Sequence, residues 1–194
     1  ASGIGHEVKL CIPENGVISL NIPLTIHRSG SLSTRTTHPY YMNLLRLILE
    51  RLGIPVALYN PYQFITKGEM ILGCKDFDFL KHTYPLTMSC SHPDQGRWRG
   101  EQKPCHCGVC VPCTIRRAAI YGAGLSDESA YANLSYREGD AEVNLMSYKI
   151  GLAKEVDPYF AIQLNGHIED KLDDYVEIYL RGRKELSDFI ATIQ

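Results

Sequence analysis

An α/β fold carrying a cysteine-rich knuckle and closing on a helical tail is predicted by three observations. A β-rich run at 7–13 and another at 55–62 flank an apolar helical stripe at 39–52. Five of the seven cysteines crowd into residues 90–113. After residue 140 the text turns to long helix-forming runs. Residues 1–125 are read as one α/β domain bearing the knuckle, and 126–194 as a helical tail packed on it.

The first strand, EVKLCIP, alternates and then meets a turn at Glu14-Asn15-Gly16. VISLNIPL reads as a second short extended stretch. Glu14 and Asn15 stand at a strand end, where open α/β sheets keep their ligands, although a plain turn explains them equally well. The helix at 39–52 places Met42, Leu44, Leu45, Leu47, Ile48 and Leu52 on one stripe. Thr37 or His38 caps it, Pro39 suits its first turn, and Gly53 ends it. Ahead of it, Ser31, Ser33, Thr34, Arg35, Thr36 and Thr37 form a hydroxyl-rich loop with one cation. Delivered to a helix N-terminus, such a loop suits an anion.

PVALYNPY returns as the next strand; strand–helix–strand implies parallel pairing. Thr66-x-x-Glu69 is a capping box for another helix. Lys67 falls in its first turn, where a cation opposes the helix dipole, so it is a candidate to face a phosphate or carboxylate as well as a plain surface lysine.

The knuckle reads Cys107-x2-Cys110-x2-Cys113, with Cys90 upstream, and Pro104, Gly108 and Pro112 allow tight turns. Thiolates at this spacing can converge on one ion, and four sulfurs at tetrahedral angles suit Zn²⁺. Cys90 is the expected fourth ligand, with Cys105, His92 and His106 as substitutes. A disulfide framework fits poorly with seven cysteines in 194 residues. An iron–sulfur cluster would want a further Cys and then Pro, where Arg117 and Ala118 stand. TIRRAAIYG then reads as a helix, which places the last ligand at its start.

CGVCVPCTIRRAAI with the upstream Thr87-x-Ser89-Cys90 resembles the carboxy-terminal zinc element of the QueC (7-cyano-7-deazaguanine synthase) family. Its pattern runs T-W-S-C, a loop, then C-G-x-C-x-x-C-x-x-R-x-x-A-F. Cys90, Cys107, Gly108, Cys110, Cys113, Arg116 and Ala119 match; the loop is longer here and Ile120 replaces Phe. Thr66-Lys67-Gly68-Glu69-Met70 is similar to the family's T-K-x-E-I helix start. ENGVISLN, PLT and GSLSTRTTHP look like a narrower subgroup, the QueC-like proteins of Qat-type anti-phage defence loci. YLRGRKELSDFI resembles that subgroup's closing helix.

The resemblance implies a partial adenine-nucleotide alpha-hydrolase-like sheet of the PP-loop superfamily. It also implies Zn²⁺ with ATP and Mg²⁺ as cofactors of a full-length C–N ligase. That enzyme would activate the carboxylate of a 7-carboxy-7-deazaguanine-like substrate and form an amide or nitrile with ammonia. On this reading Lys67 is the catalytic candidate, while Glu14, Asn15, Arg35, Thr36, Thr37 and Arg116 are the substrate candidates. Arg116 could instead anchor the helix after the knuckle. The family's S-G-G-x-D-S nucleotide loop does not occur; Ser29-Gly30-Ser31-Leu32-Ser33 lacks the second Gly and the Asp. A missing PP-loop half, from a longer protein or a partner chain, is therefore expected, and the chain alone is expected to be inactive.

Composition bounds these readings. Hydrophobic residues make up 44% and charged residues 22%, a globular balance. Net charge is −2, but residues 81–120 hold six Lys/Arg against two Asp/Glu, while 121–194 hold seven against fourteen. A basic centre suits an anionic ligand, or is a solvated loop balanced by the acidic tail. No run approaches the roughly 20 apolar residues of a membrane helix. Free thiols at this density suggest a reducing cytoplasm. A rival function is a zinc-knuckle module for nucleic acid or protein, with Trp98 between Arg97 and Arg99 as a stacking platform. A third is a subunit completing another chain's active site; a homo-oligomer is also compatible.

Overall fold

The computed structural model describes residues 7–23, 36–94, 100, 104–137 and 139–193. Two compact units divide them. The first takes 7–22, 36–66 and 156–181; the second takes 23, 67–94, 100, 104–137, 139–155 and 182–193.

In the first unit β1 (Val8–Cys11) pairs in parallel with β2 (Val56–Tyr59), in the register Val8↔Val56 to Cys11↔Tyr59. Among the described residues this is a two-stranded sheet, so the mixed α/β class is present in its smallest form. The stretch expected to be extended after β1 is instead a helix, α1 (Gly16–Leu20). Asn15 caps it, its Oδ1 accepting from the Ile18 amide at 3.0 Å, and Asn21 closes it in the left-handed region at φ 47°. Asn tolerates both roles, which is why a β-looking text folds as a short helix. Gly16 is required by crowding: a Cβ there would collide with the Gln63 carbonyl oxygen.

The helix α2 (Pro39–Arg51) starts and stops where expected. His38 is the cap, its Nδ1 accepting from the Tyr40 amide at 3.2 Å, and Gly53 follows at φ 63°. Its apolar stripe is the surprise. No residue of α2 is buried, and Leu44, Leu47, Ile48 and Leu52 are exposed. The unit's core lies elsewhere, where Leu20 meets Ile162, Ile168, Tyr175, Val176, Ile178 and Tyr179. Ile162 comes from α7 (Pro158–Gln163), capped by the Asp157 carboxylate on the Tyr159 amide. The last four come from α8 (Leu172–Ile190).

The second unit opens with α3 (Lys67–Leu72), the helix after Thr66, and then α4 (Phe77–Thr83), capped by Asp76. A single 3-10 turn (Tyr84–Leu86) leads to the cysteines. α5 (Val111–Gly122) follows them and packs against α3. Gly68 permits a close approach: its amide donates to Glu185 Oε2 at 3.1 Å, and a Cβ would collide with that carboxylate. α6 (Asp140–Ala153) and the end of α8 complete a core of Ala118, Tyr136, Leu145, Tyr148, Leu186, Phe189 and Ile190. α8 is amphipathic. Tyr175, Val176, Ile178, Tyr179, Leu186, Phe189 and Ile190 are all buried, and Gly182 does not break the helix. α8 thus contributes its first ten residues to one unit and the rest to the other, and the 126–194 stretch serves both.

Candidate metal centre

The segment after Thr87 runs extended and is pinned by its own side chains. Thr87 Oγ1 donates to the Tyr84 carbonyl at 2.8 Å, turning the chain toward Cys90. On the far side of the loop, His106 pairs with the 130–132 stretch: its amide donates to Ala130 O (3.1 Å) and its carbonyl accepts from the Ala132 amide (2.8 Å). Gly108 then turns the knuckle at φ 87°, where a Cβ would collide with the Asn133 carbonyl oxygen. Cys110 is the N-cap of α5, so Cys113 lies in that helix's first turn. The last ligand therefore sits at a helix start, as the spacing predicts.

These turns bring Cys90, Cys107, Cys110 and Cys113 together, all four Sγ atoms within 4.8 Å of one another. Cys90 Sγ lies 3.9 Å from Cys110 Sγ, and Cys107 Sγ lies 3.9 Å from Cys113 Sγ. A tetrahedron of metal–sulfur bonds near 2.3 Å has edges of about 3.8 Å. The donor set and its spacing thus fit one four-coordinate ion, and a disulfide, with sulfurs about 2.05 Å apart, does not form. Backbone amides point at the sulfurs: Cys107 N and His92 N each donate to Cys90 Sγ at 3.2 Å, and Cys110 N donates to Cys107 Sγ at 3.3 Å. Such donors and the positive end of α5 favour thiolates. The Cys110 thiol is pulled down to about 3, chiefly because the Cys107 and Cys113 thiols hydrogen-bond to it. Cys113, fully buried, moves the opposite way for the same reason, since it keeps its proton to donate.

Of the substitute ligands, Cys105, His92 and His106 stand outside this group of four. His106 supports it instead. Its Nε2 donates to Thr87 O at 3.1 Å, and its Nδ1 lies 3.8 Å from Cys113 Sγ. Burial holds its pKa below the usual histidine value.

Arg116 is buried, and its guanidinium is engaged by protein. It donates to Thr87 Oγ1 (2.8 Å), Ser89 Oγ (3.4 Å), Ser129 Oγ (2.9 Å) and the Tyr84 carbonyl. These contacts tie α5 to the 84–89 segment and to Ser129. Arg117 does similar work unnoticed in the sequence, donating to Gly108 O and Leu134 O, both at 3.1 Å, and lying over the rings of Tyr131, Tyr136 and Phe189. Tyr136 is hydrogen-bonded to Thr114 Oγ1 at 2.7 Å, and Thr114 donates onward to the Cys110 carbonyl. The signal for this shell was the pair of arginines followed by a connector with Tyr131 and Tyr136.

Glu14 accepts from Asn15 N and Nδ2, both at 3.2 Å, and Asn15 is a buried cap. Thr36 and Thr37 form the turn before α2. Arg35, and with it most of the hydroxyl-rich loop, lies outside the described residues, as do Arg97, Trp98 and Arg99. Lys67, half-buried, is the first residue of α3 and belongs to the second unit, whereas Glu14, Asn15, Thr36 and Thr37 belong to the first. Among the described residues no helix is long and apolar enough to cross a membrane. The chain matches no family model, no curated protein and no solved structure, so its chemistry rests on its own residues: four cysteines that could hold a metal ion.

Proposed function

We propose that this chain is the zinc-bearing portion of an ATP-dependent enzyme of the QueC-like type. In that enzyme a 7-carboxy-7-deazaguanine-like carboxylate is activated with ATP and Mg²⁺ and joined to ammonia as an amide or nitrile. The observation that carries the reading is the convergence of Cys90, Cys107, Cys110 and Cys113 together with Arg116. One side chain ties Thr87 and Ser89 of the T-x-S-C stretch to the helix that follows C-x2-C-x2-C. Those residues are the ones on which the family resemblance rests.

Zinc here is structural: four protein sulfurs leave no open position for water or substrate. Its role is to hold the 87–94 segment against the start of α5. The nucleotide loop S-G-G-x-D-S is absent from the sequence, so another segment or a partner chain supplies it. The exposed stripe on α2 and the two-stranded parallel sheet agree with an incomplete α/β layer, because parallel sheets are ordinarily covered on both faces.

The test is metal content and ATP turnover, on this 194-residue chain and on the natural-length gene product with any co-purifying partner. One zinc per chain is expected in both. ATP-to-AMP conversion dependent on 7-carboxy-7-deazaguanine is expected only when the nucleotide loop is present. Turnover by this chain alone would overturn the missing half. Iron in place of zinc would overturn the metal, and a complete assembly inert toward ATP and this substrate would overturn the enzyme.

A further inference from the structure

The first unit holds a cavity of about 270 Å³ that the metal centre does not use. It opens at the C-terminal ends of both parallel strands: Ile12 follows β1, while Leu58 and Tyr59 end β2 and Asn60 follows it. Open α/β sheets keep ligands at that edge. One wall is a side face of α2, formed by Pro39, Met42, Asn43 and Arg46.

Ser19 sets an unpartnered hydroxyl in its wall. The residue is 3% exposed, it lines the cavity, and its Oγ has no hydrogen-bond partner among the described residues. Buried hydroxyls in native proteins are satisfied by protein, water or ligand. Tyr175, buried, lines the same space.

The charges around this space are unequal. Among the described residues Arg46 and Lys171 are its cations and Asp170 its one acid. Arg46 uses one donor on Asn43 Oδ1 at 2.8 Å, which orients the guanidinium and leaves its other donors open. Lys171 stands at φ 57° just before α8, its Nζ 5.4 Å from the Phe64 ring centroid. Ile12, Met42, Leu58 and Ile168 provide apolar wall.

We propose that this cavity binds a small organic anion, a carboxylate or phosphate monoester on a compact apolar body. Arg46 and Lys171 meet the charge, Ser19 Oγ donates to it, and the apolar wall holds the body. The inference is independent of the reading of the chain as part of a deazaguanine enzyme, because neither a purine nor an adenylate enters it.

Titration calorimetry of the metal-loaded chain with benzoate, phenyl phosphate and neutral benzamide tests it. The expected result is that at least one anion binds and benzamide does not; which anion binds separates carboxylate from phosphate recognition. Arg46→Gln should weaken the anion about tenfold, the scale of one hydrogen bond to a charged group. Ser19→Ala should weaken it less, and Arg51→Gln, which changes a cation outside the cavity, should leave binding as it is. Arg46 is exposed, so its variant folds even if the Ser19 variant does not. Equal affinity for benzamide, unchanged binding by Arg46→Gln, or no binding of either anion would each overturn the proposal; in the last case a water on Ser19 Oγ accounts for the hydroxyl.

Discussion

Cys113→Ser is the sharpest perturbation of the metal centre. Cys113 is fully buried, lies 3.9 Å from Cys107 Sγ and starts the helix that carries Thr114, Arg116 and Ala118. Structural zinc on four ligands contributes about 10–16 kcal/mol, so one ligand in four is on the order of 3 kcal/mol. A buried serine hydroxyl without a good partner adds about 1–3 kcal/mol. The total, about 4–6 kcal/mol, is a large part of the 5–15 kcal/mol that holds an ordinary domain together. At about 2–4 °C per kcal/mol for a chain of this size, the melting temperature of the second unit should fall by roughly 10–20 °C. Zinc per chain and thermal melts, with and without a strong chelator, would be measured together. The chelator should lower the melting of the wild type and leave the variant nearly unmoved. Cys105→Ser, also buried but outside the group of four, is the control: it should keep its zinc. A Cys113→Ser protein that keeps one zinc and melts within a few degrees of wild type would refute the four-sulfur centre.

Other substitutions probe the supports. Gly108→Ala forces a side chain into the left-handed region and against the Asn133 carbonyl, and should cost about 1–3 kcal/mol in denaturant melts. Arg116→Ala strips hydrogen bonds from Thr87, Ser89 and Ser129. It should cost about 3 kcal/mol and accelerate zinc loss to a chelator, and Arg116→Lys should recover little because one ammonium replaces a fork. Asn15→Ala removes the cap of α1 and should cost about 1 kcal/mol, read as a shift in the unfolding midpoint at constant slope. Burial pushes the Tyr175 phenol up to about 12 from its ordinary 10, so the fold favours the neutral ring. The contribution is whole below pH 10 and disappears as the pH rises from 10 to 12, by up to about 2–3 kcal/mol. Unfolding free energies at pH 9 and 11.5 should converge less steeply for Tyr175→Phe; identical slopes would refute the assignment.

Local chemistry was readable residue by residue. Pro39 and Gly53 bracket α2, C-x2-C-x2-C closes on a helix, and Cys90 joins it, because caps, turns and ligand spacing are properties of a few consecutive residues. The α8 stripe was readable because a 3.6-residue period survives whatever it packs against. VISLNIPL was misread because β-branched residues outweighed the flanking Asn15, whose side chain caps the helix, and Asn21, whose left-handed backbone closes it.

Contacts across long sequence separations were another matter. Apolarity on α2 marks a face able to be buried, yet the core formed instead around Ile162, Tyr175 and Ile178, more than a hundred residues away. Arg116 and Arg117 look alike in the text. One became the brace of Thr87 and Ser89 and the other lies over three aromatic rings, because successive residues of a helix point about 100° apart. The cavity around Ser19, Arg46 and Lys171 draws on segments up to 152 residues apart and has no linear signature. The metal knuckle is thus written in the spacing of the chain, while the brace around it and the cavity exist only once distant segments meet.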